Sequence, residues 1–471
     1  MLLLLTAVPF LLATVALVVP ARLHRPVLLG GALLHAGGVT MLWVTEPAPS
    51  AFLAADPLAK LFLTTLTVLF LTCVVQAQAA ARPARDDRVF VACLLALLGS
   101  MTLVALSQHL GLLWVAVEAT TLTSAPLVYS DRDAHALEAA WKYLLLCSVG
   151  IALALLGTFL VALAAAGGAP PVHSLLLPEL RAGAAGLSPA WLQAGFIFIL
   201  VGYGTKMGLA PLHSWLPDAH ASAPSQVSAL LSGSLTTCAF IGILRPLGIL
   251  RAAGQGAFAL GALVGLGLLS MALAALLVAA QRDFKRMLAY STVEQMGILA
   301  FGVGLGGAAT VGAMFHAMNH GLAKSALFLS GGNIQHSFGS KRLDVVRGAA
   351  RRLPISGPVF LLGFLALAGS PPFGSFFSQF AIVNGAFASG RFLAGSLFLA
   401  LLALVFIAMT ASVSRAVLGD PSGAAEVEGT GDGLLAAAPP LLLLVAVLAL
   451  GLFTPAPLRR LFAAAAAGIG G

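Results

Sequence analysis

Runs of apolar residues long enough to cross a lipid bilayer recur from one end of this chain to the other, and nothing constrains its fold more. A spanning helix needs about 18–20 such residues. Inside hydrocarbon every backbone N–H and C=O must be satisfied within the protein, which leaves helices or closed barrels. The runs predict about fourteen helices: Leu2–Val19, Val27–Val44, Leu58–Ala80, Val89–Ser107, Leu110–Tyr129, Ala139–Ala166 and Trp191–Ala210 in the first half. Ser222–Ile249, Ala257–Gln281, Met287–Gly304, Thr310–Gly331, Leu353–Ala386, Phe392–Val417 and Leu434–Phe453 follow. With 59% hydrophobic and 9% charged residues, the chain has no stretch polar enough for a soluble domain. Met1–Val19 lacks a basic leader and a cleavage site, and reads as a first helix.

The net charge of +8 is a topology signal rather than a nucleic-acid one. Loops after odd-numbered helices hold fifteen Lys and Arg, including Arg82, Arg85 and Lys285, against six for the even-numbered loops, nearby helix ends and the tail, where Arg245 and Arg251 are counted. Odd loops are therefore expected in the cytoplasm and both termini outside it. The four cysteines lie in apolar runs without a CxxC pair, so no iron–sulfur or zinc site is readable.

Two segments break in the same way, one at Pro211–Pro217 and one at Ser370–Gly374. Paired broken helices in corresponding positions point to an inverted repeat. The expected division is 1–88 for helices one to three, 89–249 and 250–417 for two five-helix repeats, and 418–471 for a last helix and tail.

Ionisable residues inside the oil are the candidates for chemistry, because they are costly there and usually functional. Lys206 ends the oily part of the first broken helix, and Glu118 lies mid-helix two spans earlier. An acid and a base buried together are cheaper than apart, so the two are expected to pair. A change in their separation would load or unload the lysine's proton; the alternative is a static pair that only fixes packing. His316, His320 and Lys324 recur at intervals of four, forming a drifting ladder on one helix face, with Asn319 beside it. Such a ladder can pass protons, or simply hydrogen-bond across helices; a metal pair lacks a third ligand in sequence. Glu294 is a second intramembrane carboxylate. Lys142 reads equally as an interface anchor or a path member. His213, Asp218 and His220 surround the first break and are candidates for a water entrance. His35 reads as a satisfied core histidine, and Asp283 with Arg282, Lys285 and Arg286 as a solvated loop.

The stretches GYGTKMGLAPLHSWLPDAHASAPSQVSALLSG, QRDFKRMLAYSTVEQMG, NHGLAKSALFLSGGNI and ALAGSPPFGSFFSQF together resemble the proton-conducting, antiporter-like membrane subunits of respiratory complex I, energy-converting hydrogenases and multisubunit Na+/H+ antiporters. The wording is most similar to the hydrogenase-4 component F branch. The resemblance implies an all-α protein of fourteen spans with two inverted repeats and one proton channel. It implies family roles for Glu118, Lys206, His320 and Lys324. It further implies that this chain binds no cofactor, while Ni-Fe, Fe–S or flavin centres sit in partner subunits. The implied partners are other antiporter-like and quinone-site-like membrane subunits and a peripheral cytoplasmic redox arm, in a bacterial or archaeal cytoplasmic membrane. Two departures stand out: Thr237 and Gln379 occupy positions where relatives carry a lysine, or a lysine or glutamate. Neither can hold an extra proton near neutral pH. A redox-complex subunit, an antiporter subunit and a scaffold with a silenced channel all remain open on sequence alone.

Overall fold

The apolar runs fold as helices in the computed structural model, which describes residues 1–79, 88–420 and 432–470. Arg82 and Arg85 of the charge tally lie outside the described residues. The first helices are α1 (Leu2–Val18), α2 (His24–Val44), α3 (Pro57–Ala79), α4 (Arg88–Leu106), α5 (Leu110–Val128), α6 (Ala134–Ala166) and α7 (Leu177–Ala182). The middle holds α8 (Pro189–Met207), α9 (Trp215–Ser222), α10 (Ser225–Leu230), α11 (Thr236–Ala252), α12 (Gly256–Val278), α13 (Phe284–Leu305) and α14 (Gly307–Phe338). The last are α15 (Ala349–Arg352), α16 (Ser356–Leu367), α17 (Gly374–Ala388), α18 (Phe392–Leu418), α19 (Leu434–Leu452) and α20 (Ala456–Ala467). Ten segments among the described residues are long and apolar enough to cross a membrane, and α1 and α16 are shorter apolar helices.

Both expected breaks are present. Residues 208–214 separate α8 from α9, and residues 368–373 separate α16 from α17. Gly208 ends α8 because its φ of +87° suits a residue without a Cβ, and its N–H closes back on the Gly204 carbonyl at 3.0 Å. A third irregularity carries no proline to announce it. Leu231–Leu235 form a π turn that joins α10 to α11 in one continuous span.

The polar candidates sit on helices wrapped by other helices. The α10–α11 span is wholly buried and α13 nearly so, whereas most of α18 faces outward. Helix α14 runs through the middle and touches α3, α10, α13, α16, α17, α19 and α20. Apolar side chains on the outer helices meet lipid, so the interior is free to hold polar groups. Close approach depends on glycine where α6 meets α8: a Cβ on Gly157 would stand 2.6 Å from the Gly195 carbonyl oxygen and 2.8 Å from the Ile199 nitrogen.

Three boundaries move for local reasons. Helix α13 starts at Phe284 because Asp283 caps it, accepting from the Lys285 N–H at 2.7 Å and the Arg286 N–H at 3.2 Å. The expected solvated loop is thus a helix start, and Lys285 is buried with Nζ donating to the Ala223 carbonyl at 3.1 Å. Helix α6 begins at Ala134 on the Asp133 side chain, which accepts from Ala136 N–H at 2.7 Å. Helix α20, in the expected tail, is amphipathic: Leu461, Phe462, Ala465 and Ala466 are buried while Arg459 and Arg460 are exposed.

His35 is a satisfied core histidine. Its ring nitrogens meet the Thr67 and Thr102 hydroxyls, each at 3.0 Å. Arg245 departs from its sequence reading as a helix end: it is buried inside α11 and paired with Asp56, which precedes α3.

Candidate functional site

The first cluster lies between α5, α6 and α8. Lys206 is fully buried in the last turn of α8, where the helix presents its unpaired carbonyls and the negative end of its dipole. Its Nζ donates to Thr121 Oγ1 at 2.9 Å and to the Tyr143 hydroxyl at 2.5 Å. That nitrogen also lies 4.6 Å from the Tyr143 ring centroid. Tyr143 is tied in turn to Ser124 Oγ at 2.6 Å and packs on Trp215, centroid to centroid 4.9 Å. Trp215 donates to the Thr205 carbonyl at 2.8 Å, so the segment beyond the break braces the helix before it.

Glu118 does not make the expected contact pair. Its Oε1 accepts from Ser148 at 2.8 Å, its Oε2 is buried without a partner, and no ion pair links it to Lys206. The acid is near enough for its charge to be felt at the ammonium, but hydroxyls hold the lysine. This matters chemically. A hydroxyl accepts from an ammonium and donates to a neutral amine, so the lysine keeps its partners in either protonation state.

The second cluster surrounds α14. The drift of the four-residue ladder gives each rung a different neighbour. His316 Nδ1 meets Ser378 Oγ of α17 at 2.9 Å. His320 Nε2 meets the Ser232 carbonyl in the π turn at 3.1 Å, and Lys324 Nζ donates to the Leu288 carbonyl of α13 at 2.6 Å and to Ser291 Oγ. The π turn presents the Ser232 carbonyl to His320 while it also accepts from Thr236 Oγ1 at 2.7 Å. The two imidazole centroids are 6.5 Å apart, and each ring keeps one buried nitrogen without a partner. Glu294 is buried on α13, with Gln295 Nε2 donating to it at 3.4 Å. Ser232 Oγ and Thr292 Oγ1, 2.8 Å apart, add hydroxyls beside His320.

His220 of α9 is fully buried, stacked on Phe328 of α14 at 5.0 Å, with neither ring nitrogen partnered. His213 is buried against Tyr290, centroid to centroid 6.0 Å. Asp218 is bridged by Lys142 at 3.3 Å and Arg286 at 2.5 Å, and Lys142 also reaches Glu138 at 2.6 Å. The Lys142 side chain is 46% exposed, so it belongs to a surface ion-pair network rather than to either buried cluster.

The two departures are filled without a proton carrier. The Thr237 hydroxyl donates to the Gly233 carbonyl at 3.3 Å beside Phe240, Met314 and Met318. Gln379 Nε2 reaches the Leu367 carbonyl at 3.5 Å and lines an apolar groove of about 340 Å³ with Phe380, Phe398 and Phe406. Among the described residues no group of His, Cys, Asp and Glu gathers that could hold a metal ion. Tyr143, Thr121 and Ser232 escape a reading of the sequence, because hydroxyls in apolar helices are too common to single out.

Residues 107–409, which hold both clusters, match the family model described as NADH:quinone oxidoreductase/Mrp antiporter, TM. The chain belongs to this antiporter-like membrane family. Within it, the chain is 41% identical over 334 residues to a hydrogenase-4 component F homolog of Methylacidiphilum infernorum, covering 70% of this chain and 69% of the relative. It is 32% identical over 377 residues to NADH-quinone oxidoreductase subunit N of Deinococcus radiodurans, covering 76% and 74%. Its fold is shared with a chain of respiratory complex I from Thermus thermophilus, at TM-score 0.81 and 28% identity, covering 99% of this chain and 100% of that one. A chain of the Mrp complex from Dietzia gives TM-score 0.88 at 24% identity, covering 99% and 97%. This antiporter-like chain is a nearly all-helical, multi-pass membrane protein.

Proposed function

We propose that the chain is a proton-translocating membrane subunit of an energy-converting redox complex, of the hydrogenase-4 or complex I kind. The observation that carries this is Lys206: a fully buried amine held by two hydroxyls, with no carboxylate in contact. A redox event in a partner subunit shifts charge near Glu118. Glu118 then attracts or releases the Lys206 proton through space, while Thr121 and Tyr143 hold the nitrogen in both states. The proton moves on towards His320, His316 and Lys324, with Glu294 as the acid on the far side. The polar side chains already in hydrogen-bonding distance there support that order. Thr237 and Gln379 cannot carry the proton, so His316, Lys324 and Glu294 take over the step that lysines perform in relatives. Lys142 and Asp218 guard the mouth, with His213 and His220 behind them on the way in.

Redox centres would sit in partner subunits, among them further antiporter-like and quinone-site-like subunits and a cytoplasmic redox arm. Residues 89–249 and 250–417 would form the inverted repeats of a fourteen-span bundle, with both termini outside the cytoplasm of a bacterial or archaeal cell.

A second reading, which the likeness to the Dietzia Mrp chain favours, is a subunit of a Na+/H+ antiporter. The test is reconstitution of the parent complex in proteoliposomes with Lys206→Met. Proton uptake at the parental rate would refute the central role of the lysine. Uptake that depends on sodium at fixed redox turnover would favour the second reading.

A further inference from the structure

A pocket of about 430 Å³ lies away from both clusters, at the end of the bundle where α7, the end of α11 and the residues after α20 meet. Arg181 and Arg251 line it together with Gly248, Ala252, Gly468 and Gly470. Arg181 Nε and Arg251 Nη1 are buried and have no hydrogen-bond partner, and neither guanidinium makes an ion pair among the described residues. A buried charged donor left unpaired is costly.

The nearest acid is already engaged. Asp56 accepts from Arg245 with both oxygens, and from the Ala59 N–H at 2.9 Å and Gln108 Nε2 at 3.4 Å. Three arginines therefore share one carboxylate whose acceptor sites are used. The pocket is also shaped around its guanidiniums. A Cβ on Gly248 would stand 3.0 Å from Arg181 Cζ, so only glycine lets that group lie on α11. Gly470, at φ +79°, lies beside Arg251, whose Nε a Cβ there would meet at 2.9 Å.

We infer that Arg181 and Arg251 form a phosphate-binding site, occupied by the headgroup of an anionic phospholipid. A phosphate offers several acceptor oxygens to forked guanidinium donors at once. The depth points to lipid as its source. The pocket opens beside α20, which buries Leu461 and Phe462 and exposes Arg459 and Arg460, as a helix lying in the membrane–water interface does.

The test uses the full chain in nonionic detergent, stripped of lipid and titrated separately with dihexanoylphosphatidylglycerol and with inorganic phosphate. Native mass spectrometry reads occupancy and tryptophan fluorescence reads the melting midpoint. Saturable binding of one phosphatidylglycerol is expected, with a rise in midpoint. It should weaken at least about tenfold in the Arg181→Gln/Arg251→Gln variant and stay unchanged in Arg459→Gln. If the glutamine pair does not fold, Gly248→Ala, which crowds only Arg181, should weaken binding in the same direction. Equal saturation by inorganic phosphate with no response to the lipid would keep the phosphate site and overturn the lipid as its source. Parental binding by the glutamine pair would overturn the site. So would binding that appears only after residues 468–471 are removed, because the chain's own end would then be the occupant.

Discussion

Lys206 Nζ and the Tyr143 hydroxyl oxygen lie 2.5 Å apart in the interior of the bundle, and Tyr143 is bonded in turn to Ser124. A proton on the lysine is thus coupled to the direction in which two hydroxyls point. The Tyr143→Phe variant removes one of the two groups that hold the amine. It should slow proton translocation about tenfold, equivalent to about 1.4 kcal/mol, while Lys206→Met should abolish it. Proton uptake by proteoliposomes, compared with redox turnover of the same preparation, measures both.

Takeover of the exit step by Lys324 makes that residue as critical as Lys206. Lys324→Met should stop translocation without loss of the folded complex. Ser378→Ala, which removes only the His316 partner, should cost a few-fold, on the scale of one neutral hydrogen bond of about 1 kcal/mol. Equal rates for Lys324→Met and the parent would return the exit to an unidentified group.

The Asp56–Arg245 pair holds α3 to α11. Burial pushes the Asp56 carboxyl up, but the Arg245 charge and the hydrogen bonds from Arg245, Ala59 and Gln108 outweigh it, and the group rests below the usual carboxylate range. Because its pKa is lower folded than unfolded, the pair's stabilisation is fully present above the unfolded value of about 3.9 and is lost as pH falls through the folded one. Asp56→Asn should cost about 3 kcal/mol near neutral pH, the low end for a broken buried pair, since Asp56 remains 30% exposed. Thermal melts between pH 3 and 7 check this: the parent should lose midpoint in acid by a component that the variant lacks.

At the mouth the expected effects are small. Asp218→Asn breaks contacts to Lys142 and Arg286, both of them substantially exposed, and should change stability by less than about 1 kcal/mol. Its signature should be a weaker salt dependence of the proton-uptake rate. By contrast, Gly157→Val presses on the Gly195 carbonyl and should lower the melting midpoint of the whole protein, at a cost of about 1–3 kcal/mol or more.

Most of the fold is legible in the sequence because hydrocarbon leaves a chain few choices, and both breaks announce themselves through proline and glycine. Helix α20 is not, since its two arginines and alanine run are too short and too polar to read as a span. Arg245 reads as a helix end because its acid lies 189 residues away, and only the fold brings them together. Lys206, His320 and Lys324 stand out as ionisable groups in oil. Their true partners are hydroxyls and carbonyls, which every such helix contains. The expected Glu118–Lys206 contact fails for the same reason: pairing charges is the obvious way to bury a lysine, whereas Thr121 and Tyr143 do it with neutral groups.

The π turn at Leu231–Leu235 stands between two obligations on one rod. On one side Ser232 faces His320; on the other, Arg245 must reach Asp56. Each residue added to or taken from a helix rotates everything beyond it by about 100°. Excising Gly233 alone would therefore swing the arginine away from its aspartate or the carbonyl away from its imidazole. The wide turn acts as a phase corrector, and it makes the spacing across those five positions harder to alter than the identity of the side chains they carry.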